Sequence, residues 1–367
     1  MQIAAEIESA GGWIGFERFM ELALYSPGLG YYANASPKFG TGLQRAGGNG
    51  SGGDGSDFVT APEMTPLFGR ALARQLKEAL QVTGTREIWE FGAGTGALAA
   101  QLLDALGGAV DCYHIVDLSG SLREHQWLRL SAQLQKVRWH DALPQALQGV
   151  IVGNELLDAM PVTLLNRSGG AWHERGVVCS PRANDVPAFC WQDRPTLLRP
   201  PVEIDGDGHY LTEVGAQAQA FVRTVLGSLE RGAAFFIDYG FPEAEYYHAQ
   251  RHMGTLMCHR AHRADTDPLA DVGAKDITAH VDFTAIALAA QQAADDAGTL
   301  GYTSQARFLI NAGLPDLMAR ASAAERAMAM RLLNEHEMGE LFKVIGFYKG
   351  EPWQALGFAE GDRSNML

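Results

Sequence analysis

The sequence has few cysteines, no long apolar run and no excess of basic residues, and each absence excludes a class of protein. Its four cysteines are widely spaced and form no C-x-x-C pair. We therefore expect reduced, buried thiols in a cytoplasmic protein. No apolar run approaches the roughly 20 residues that a membrane-spanning helix needs. The N-terminal stretch MQIAAEIESAGGW lacks the basic leader and continuous apolar segment of a signal or transit peptide, so we expect neither.

The charge balance is acidic. The chain of 367 residues has 29 Lys and Arg against 43 Asp and Glu, for a formal net charge of −14. This balance argues against nonspecific binding to nucleic acid or to an anionic membrane, both of which need clustered basic residues. It leaves room for a basic partner or a cationic ligand, although acidic surfaces commonly serve only solubility. With 47% hydrophobic residues, the chain is long enough for one large domain or two.

The pattern of apolar runs divides the chain into three parts. Residues 1–83 read as N-terminal helices followed by an irregular segment that contains the Gly/Ser-rich tract 47–56. Residues 84–240 alternate between strands and helices and carry an antiparallel insertion at about 162–212, whereas 241–367 read as a mostly helical region with the remaining core elements. The predicted strands of the middle part are 87–91, 110–116, 136–140, 149–153 and 233–238, and its first helices are 97–106 and 119–134. Such alternation predicts an α/β fold with a doubly wound, mostly parallel sheet.

A glycine-rich turn follows the first of these strands in the stretch EIWEFGAGTGALAAQLL. Gly92, Gly94 and Gly96 allow a sharp turn that brings backbone N–H groups against a ligand. The stretch also fits G-x-G-x-x-[G/A], and Asp117 ends the second strand where a ribose-binding acid of a dinucleotide fold would sit. On this pattern alone, NAD is one candidate ligand.

Two further features favour S-adenosylmethionine. Glu90 lies two residues before the first glycine, where a carboxylate suits the positive charges of an amino group and a sulfonium and suits a pyrophosphate poorly. Asn154 and Glu155 end the fourth strand, where a methyl acceptor would lie at the carboxyl edge of the sheet. In this interpretation Asp117 accepts hydrogen bonds from the ribose hydroxyls. Asp141 either meets the adenine amino group or is a simple turn residue.

Seven motifs in fixed order then resemble the MidA-like family of S-adenosylmethionine-dependent methyltransferases. That family includes the mitochondrial protein arginine methyltransferase used in respiratory complex I assembly. The motifs are GLGYY at 28–32, DFVTAPEMTPLFG at 57–69, EFGAGTGAL at 90–98, NELLDAMPV at 154–162, IDYG at 237–240, KDITAHVDF at 275–283 and GYTSQARFLINAG at 301–313. The resemblance covers nearly the whole chain. It implies the class I methyltransferase fold, with an added N-terminal lid and with helical and antiparallel insertions.

The resemblance also implies activity on an arginine of a partner protein, with a respiratory-complex subunit as one candidate. Within the second motif, Thr60, Pro62 and Glu63 are expected to belong to a segment that closes over the cofactor. Glu63 either lies near a cationic peptide or is a helix N-terminal acid favoured by the helix dipole. The family usually has a short G-D-F run where this chain has GGNGSGGDGSDF, with Ser56 in place of a glycine. The insertion lengthens whatever loop covers the site.

The candidate catalytic residues lie in NELLD. An arginine guanidinium keeps its charge, and its nitrogens have no free lone pair. Carboxylates can grip it through paired hydrogen bonds and then take the released proton. If NELLD starts a helix, Glu155 and Asp158 project from one face. We therefore predict Glu155 as the main clamp, with Asp158 as a second clamp or a support and Asn154 placing the acceptor. The simpler interpretation of all three is that they are caps and turn formers.

Other residues are weaker candidates. Asp238 ends the strand AAFFID and is expected to line the acceptor channel with the two residues that follow it. His259, His262 and His280 could suggest zinc, but no Cys or carboxylate cluster stands at ligand spacing, so we predict no metal. The sequence thus predicts a methyltransferase acting on a protein side chain. A non-catalytic S-adenosylmethionine-binding assembly factor and an NAD-dependent dehydrogenase remain alternatives, and a homo-oligomer is left open.

Overall fold

The computed structural model describes residues 2–34, 60–117, 120–180, 188–206, 208–260 and 263–367. The Gly/Ser-rich tract 47–56, predicted above as part of a lid, lies outside these ranges, as does His262. The described residues belong to two compact units, each made of three chain segments. The larger unit comprises Val59–Asp158, Gln219–Glu243 and Val281–Leu367; the smaller comprises Met1–Phe58, Ala159–Ala218 and Ala244–His280.

The helices and strands are numbered in chain order. The helices are α1 (Gln2–Ser9), α2 (Phe16–Tyr25), α3 (Ala61–Met64), α4 (Pro66–Thr83), α5 (Ala97–Leu106), α6 (Gly120–Arg129), α7 (Ala216–Ser228), α8 (Glu243–Tyr246), α9 (Phe283–Gln291), α10 (Gln305–Asn311), α11 (Leu314–Ala319) and α12 (Ala323–Leu333). The strands are β1 (Ile14–Gly15), β2 (Glu87–Phe91), β3 (Cys112–Val116), β4 (Val137–His140), β5 (Leu147–Asn154), β6 (Thr163–Ser168), β7 (Ala171–Ser180), β8 (Ala188–Pro195), β9 (Tyr210–Val214), β10 (Leu229–Phe241), β11 (Met257–Arg260), β12 (Arg263–Asp265), β13 (Asp276–Thr278), β14 (Val281–Asp282), β15 (Ala297–Ser304) and β16 (Phe342–Lys349).

The larger unit is built on one sheet of eight strands. Its order is β15-β16-β10-β5-β2-β3-β4, and the short β14 pairs with β10. The pairs from β10 through β5, β2 and β3 to β4 are parallel, whereas β16 runs antiparallel to both β10 and β15. The chain moves outward from β2 to β3 and β4 and then returns to the other side of β2 as β5. The sheet is therefore doubly wound, and its strand order reverses between β2 and β5.

Helices cover both faces of this sheet because its central strands are apolar on both sides. On one face, α4 and α5 bury their apolar stripes in the main core cluster with residues of β2, β5 and β10. Helix α4 starts as its sequence predicts, since the Thr65 side chain accepts a hydrogen bond from the Leu67 N–H and Pro66 takes the first helical position. On the other face, the Phe221 ring of α7 packs edge-on against Phe91 at 5.3 Å.

The smaller unit combines helices with antiparallel strands. One sheet has the order β1-β7-β6-β9, with β8 paired to β7, and another has the order β12-β11-β13. Helices α1 and α2 pack on the first sheet and bury Phe16, Phe19 and Met20 with Val177 in a separate core. The predicted antiparallel insertion thus corresponds to β6, β7, β8 and β9. These strands belong to the same unit as the N-terminal helices. The unit is therefore built from separate chain segments, whereas the division predicted from the sequence placed consecutive residues together.

Several element boundaries differ from the sequence predictions. The sequence pattern predicts a helix from 213 to 229, but α7 begins only at Ala216, because the alternating stretch 210–214 pairs with β6 as strand β9. The pattern likewise predicts a helix over 284–297, but α9 ends at Gln291, and β15 follows it. Neither β15 nor β16 was predicted, although β16 is an almost fully buried apolar run. The apolar spacing over 321–339 predicts one helix, but a regular helix extends only from Ala323 to Leu333.

The cysteines also differ from expectation. All four are free thiols, but only Cys258 is buried; Cys112 is half-buried, and Cys179 and Cys190 are exposed. The last two lie on β7 and β8, on positions that the unit's core does not cover. Among the described residues, no helix is both long and apolar enough to cross a membrane.

Candidate active site

The predicted site lies at the carboxyl ends of β2 and β5, where the strand order reverses. Phe91 at the end of β2 pairs with Gly153 of β5. The glycine turn and NELLD therefore leave the sheet side by side, since parallel strands end at the same edge. Ligands of doubly wound sheets bind in the crevice that such a reversal opens.

The three glycines of the turn all adopt the left-handed conformation that favours glycine, with φ of 67° at Gly92, 54° at Gly94 and 79° at Gly96. Two of them are also held closely by neighbours. A Cβ at Gly92 would lie 2.9 Å from Cδ1 of Leu156, and one at Gly96 would lie 3.4 Å from Cα and Cγ of Gln126. Both the turn and its packing thus require residues without side chains.

Glu90 is 3% exposed and lies directly below this turn. The Tyr113 hydroxyl donates a hydrogen bond of 2.8 Å to its Oε2. Burial raises the pKa of Glu90 to about 8, and the charge of Asp117 adds to the rise, while the bond from Tyr113 opposes it. The carboxyl group is consequently neutral near pH 7 and would ionise readily beside a cation.

Asp117 follows β3 and is half-buried. Gln126 of α6 donates from Nε2 to Asp117 Oδ2 and to the Gly94 carbonyl, both at 2.9 Å. Its Oε1 accepts a 2.9 Å bond from Trp139 of β4. Gln126 was not predicted from the sequence as a site residue. The signal that could have revealed it is its position in the buried row of Leu122 and Leu130, where a polar side chain is unexpected.

Asp141 lies one residue beyond β4 and is the most exposed of the predicted site residues, with 84% of its side chain accessible. It pairs with Arg123 of α6, which donates to its Oδ1. The structure therefore places it at the edge of the site in an ion pair. Its contact with adenine stays a prediction.

Of the three residues predicted to close over the cofactor, Glu63 contacts the glycine turn. Thr60 precedes α3 as its N-cap residue without a side-chain cap bond. Pro62 is buried, and its carbonyl accepts a 2.6 Å bond from Gln101. Glu63 accepts hydrogen bonds from Thr95, inside the glycine turn, and from Arg129 at 2.6 Å.

Glu63 thus forms an ion pair with an arginine of its own chain, and the side chains of both partners are less than one-third exposed. Arg129 also donates a 2.7 Å bond to Thr95. This three-residue contact attaches α3 to the turn. Glu63 lies in the first turn of α3, as the helix-terminus alternative predicted, and its place beside a cationic peptide stays a prediction. Thr95 and Arg129 were missed because the three residues are far apart in the sequence.

NELLD does not start a helix, so the prediction of two side chains on one helix face is wrong. Glu155 has φ +52°, in the left-handed region, and the residues after it form a turn. Its N–H donates a 2.9 Å bond to the Ile237 carbonyl. A β-conformation strand followed by a left-handed residue reverses the chain sharply, which a helix start would not do.

The carboxylate of Asp238 builds this turn. Its Oδ2 accepts the successive backbone N–H groups of Leu156, Leu157 and Asp158 at 3.1, 2.8 and 3.3 Å, and its Oδ1 accepts the N–H of Tyr239 at 3.0 Å. Asp238 is 1% exposed. Both oxygens are thus occupied by backbone N–H groups, so Asp238 holds the turn together and does not line an acceptor channel as expected.

Three carboxyl groups lie close together in this turn. Burial raises the pKa of Asp238 well above its ordinary value, and the charges of Asp158 and Glu155 raise it further. Asn154 donates from Nδ2 to Glu155 Oε1 at 3.0 Å. The buried Oδ1 of Asn154 accepts no hydrogen bond within the described ranges. The turn therefore brings three carboxyl groups together and offers an acceptor to a ligand with N–H donors.

These features fit S-adenosylmethionine as a ligand. The left-handed turn exposes backbone where a side chain would obstruct a ligand, Glu90 supplies a carboxyl group that a nearby ammonium would ionise, and Asp117 supplies a carboxylate for hydroxyl groups. Among the residues that the structure describes, no group of three or more His, Cys, Asp or Glu side chains could hold a metal ion.

Comparison with known proteins assigns the family. Residues 71–303, more than half of the chain, match the family model described as "Putative S-adenosyl-L-methionine-dependent methyltransferase". A crystal structure of a COG1565 superfamily member from Burkholderia thailandensis, bound to S-adenosyl-homocysteine, is 50% identical, with a TM-score of 0.91, and covers 100% of this chain and 95% of that one. A native structure from the same species is 49% identical, with a TM-score of 0.87 over 100% and 95% of the two chains.

Curated relatives extend the match to eukaryotes. The protein arginine methyltransferase NDUFAF7, mitochondrial, of Danio rerio is 25% identical over 92% of this chain and 83% of its own length. The corresponding homologue of Drosophila melanogaster is 27% identical over 95% and 84%.

The chain belongs to this family of S-adenosylmethionine-dependent methyltransferases. The predicted family and the predicted class I methyltransferase fold are confirmed, and the family decides between the two cofactors that the glycine pattern left open. The roles of the individual site residues stay predictions.

Proposed function

We propose that this protein transfers methyl groups from S-adenosylmethionine to the guanidinium of an arginine in a partner protein. The observation that carries the proposal is the acidic turn after β5, held directly against the glycine turn after β2. The names of the curated relatives, which describe protein arginine methyltransferases, support the same acceptor.

Leu156 joins the two turns. Its side chain fills the space beside Gly92 and beside Gly153, since a Cβ at either position would lie 2.9 Å from one of its methyl groups. Asn154 and Glu155 immediately precede it, so their side chains belong to the same edge of the sheet as the cofactor turn. In this proposal Gly92, Gly94, Gly96 and Glu90 hold the methionine part of the cofactor, and Asp117 holds its ribose.

The chemistry of the acidic turn suits a guanidinium. When bound, the cofactor would supply an electrophilic methyl group on a positively charged sulfur, which would keep the electron pair of the broken S–CH3 bond and leave as a neutral thioether. Glu155 accepts N–H groups of the acceptor and draws its charge away from the attacking nitrogen, while Asn154 Oδ1 accepts a further N–H. Asp158 is 5% exposed and supports Glu155 by adding negative charge beneath the acceptor. The proton released on methylation passes to Glu155 as general base.

Two features of this site bear on selectivity for a cation. A neutral acceptor would leave the turn's carboxylates without a compensating charge, whereas a guanidinium or ammonium neutralises part of it. A planar guanidinium additionally presents two parallel N–H donors in a fixed geometry, which an ammonium with its freely rotating hydrogens does not. We therefore favour arginine over lysine.

The test incubates the protein with S-adenosylmethionine that has an isotopically labelled methyl group, in an extract of the cells that naturally contain the protein. We expect label on arginine with the wild-type protein and its loss with Glu155→Gln, while calorimetry shows nearly unchanged affinity for S-adenosyl-homocysteine. Asp271→Asn is the matched control, because Asp271 has the same left-handed backbone (φ 51°) but lies in the smaller unit. Full labelling by Glu155→Gln would exclude Glu155 as the clamp.

Two further proposals concern the identity of the substrate protein and the cellular location of the enzyme. A respiratory-complex subunit is a candidate substrate through the family resemblance, and the mass-spectrometric map of the labelled protein tests it. The cytoplasmic location stays a prediction, and the curated relatives are named mitochondrial. Cell fractionation tests this prediction.

A further inference from the structure

Gln126 makes three hydrogen bonds that connect three different strand ends. Its Nε2 donates to the carbonyl of Gly94 after β2 and to the carboxylate of Asp117 after β3, and its Oε1 accepts from the indole of Trp139 in β4. Each bond is 2.9 Å long, and the residue is 0% exposed. Every polar atom of this buried amide thus has a partner with good geometry.

Gln126 occupies a position in α6 where an apolar side chain would be expected. Leu122 and Leu130, one helical turn before and after it, are buried apolar residues in the same row. A leucine or methionine would fill such a position without the cost of removing an amide from water. Gln126 also touches the turn itself, since a Cβ at Gly96 would lie 3.4 Å from its Cα.

Only an amide can make these three contacts together. The donors to Gly94 and Asp117 must belong to one nitrogen with two hydrogens, and the group beside it must accept from an indole. Glutamate has the shape but lacks the donors and would add a second negative charge beside Asp117. Methionine has a similar length but can replace none of the three bonds.

We propose that Gln126 is a positioning residue that orients the carboxylate of Asp117 toward the ribose hydroxyls of the cofactor and fixes the glycine turn relative to it. The inference rests on the proposed assignment of Asp117 to the ribose. The bond to Gly94 sets the distance between the turn and the carboxylate, and the bond from Trp139 holds the amide in the orientation that makes both donations.

The test measures the affinity of two ligands, S-adenosyl-homocysteine and its 2′-deoxy analogue, by calorimetry. In the wild-type protein we expect the missing hydroxyl to weaken binding by about 10-fold to 100-fold, the range for a hydrogen bond to a charged group. In Gln126→Met we expect S-adenosyl-homocysteine to bind at least about 10-fold more weakly, with discrimination between the ligands falling below about 3-fold.

Gln75→Met is the matched control. Gln75 is also 0% exposed and donates to Glu78 at 2.8 Å while accepting from the Gly357 N–H at 2.6 Å, but it lies in α4. We expect Gln75→Met to lower the thermal stability of the protein and to leave its discrimination between the two ligands at the wild-type level. If Gln126→Met weakened both ligands equally, or neither, the positioning role would be refuted. If the wild-type protein did not discriminate at all, the assignment of Asp117 would fail instead.

Discussion

Replacing Glu155 by glycine and by alanine separates what its side chain does from what its backbone conformation costs. Both variants lose the carboxylate and the hydrogen bond from Asn154. They differ in how well they tolerate φ +52°. We expect both to lose methyl transfer, and the glycine variant to be the more stable.

The magnitude follows from the backbone. A left-handed conformation costs a residue with a Cβ roughly 1–2 kcal/mol. Glycine avoids that cost but loses roughly 0.5–1 kcal/mol more conformational entropy on folding. The glycine variant should therefore exceed the alanine variant in unfolding free energy by about 1 kcal/mol, a shift in melting temperature on the order of 2 °C.

Thermal unfolding and S-adenosyl-homocysteine binding are measured on both variants, together with labelled methyl transfer. Asp271→Gly and Asp271→Ala form the control pair, because Asp271 shares the left-handed backbone and is exposed at the surface in an ion pair with Arg260. We expect the same stability difference in this pair, with methyl transfer unchanged.

Two results would refute the reasoning. Equal stability of the two Glu155 variants would mean that this residue is not held in a strained conformation. Retained methyl transfer in both would mean that the strain is not maintained for the reaction, since strained residues persist where surrounding structure and function demand them.

Three further predictions concern the glycine turn after β2, Glu90 before it, and the acidic turn after β5. Gly94→Val should abolish S-adenosyl-homocysteine binding in calorimetry, since a β-branched residue at φ 54° is strained and its side chain obstructs the turn; binding near the wild-type level would contradict this. Because burial raises the pKa of Glu90 from its ordinary 4.5 to about 8, its contribution to stability is fully present below about 4.5 and is lost as the pH rises from there to about 8. Binding of the cofactor's ammonium near pH 7 should release a proton, seen by calorimetry in buffers of different ionisation enthalpy, and Glu90→Gln should release none. Asp238→Asn should lower stability by about 1–2 kcal/mol and reduce methyl transfer, because the amide nitrogen of the asparagine would face the Tyr239 N–H, donor against donor. The control is Glu213→Gln, at another buried acid that accepts backbone N–H groups, and it should lower stability alone.

The sequence predicted the part of the site that depends on local chemistry. The apolar run of β2 followed by Gly92, Gly94 and Gly96 specifies a strand and a left-handed turn almost by itself. Thr65 and Pro66 likewise specify the start of α4, because the cap bond joins residues two apart. The alternation of strands and helices was enough to predict a doubly wound sheet.

The rest depended on partners far along the chain. The left-handed Glu155 is supported by Asp238 on β10, so no local pattern in NELLD reveals it and a helix was the natural expectation. Glu63 likewise meets Arg129 only in the folded chain. Strand β15 was missed because its two glycines and polar residues mask the apolar pattern; Gly301 is needed there to pack against Phe358.

The most direct measurement of the central claim is the mass-spectrometric identification of the atom that receives a labelled methyl group from S-adenosylmethionine. We expect the label on a guanidinium nitrogen of arginine in one or a few proteins, and its disappearance with Glu155→Gln. Label on a neutral acceptor, or equal labelling by Glu155→Gln, would contradict a turn of carboxylates built to receive a cation.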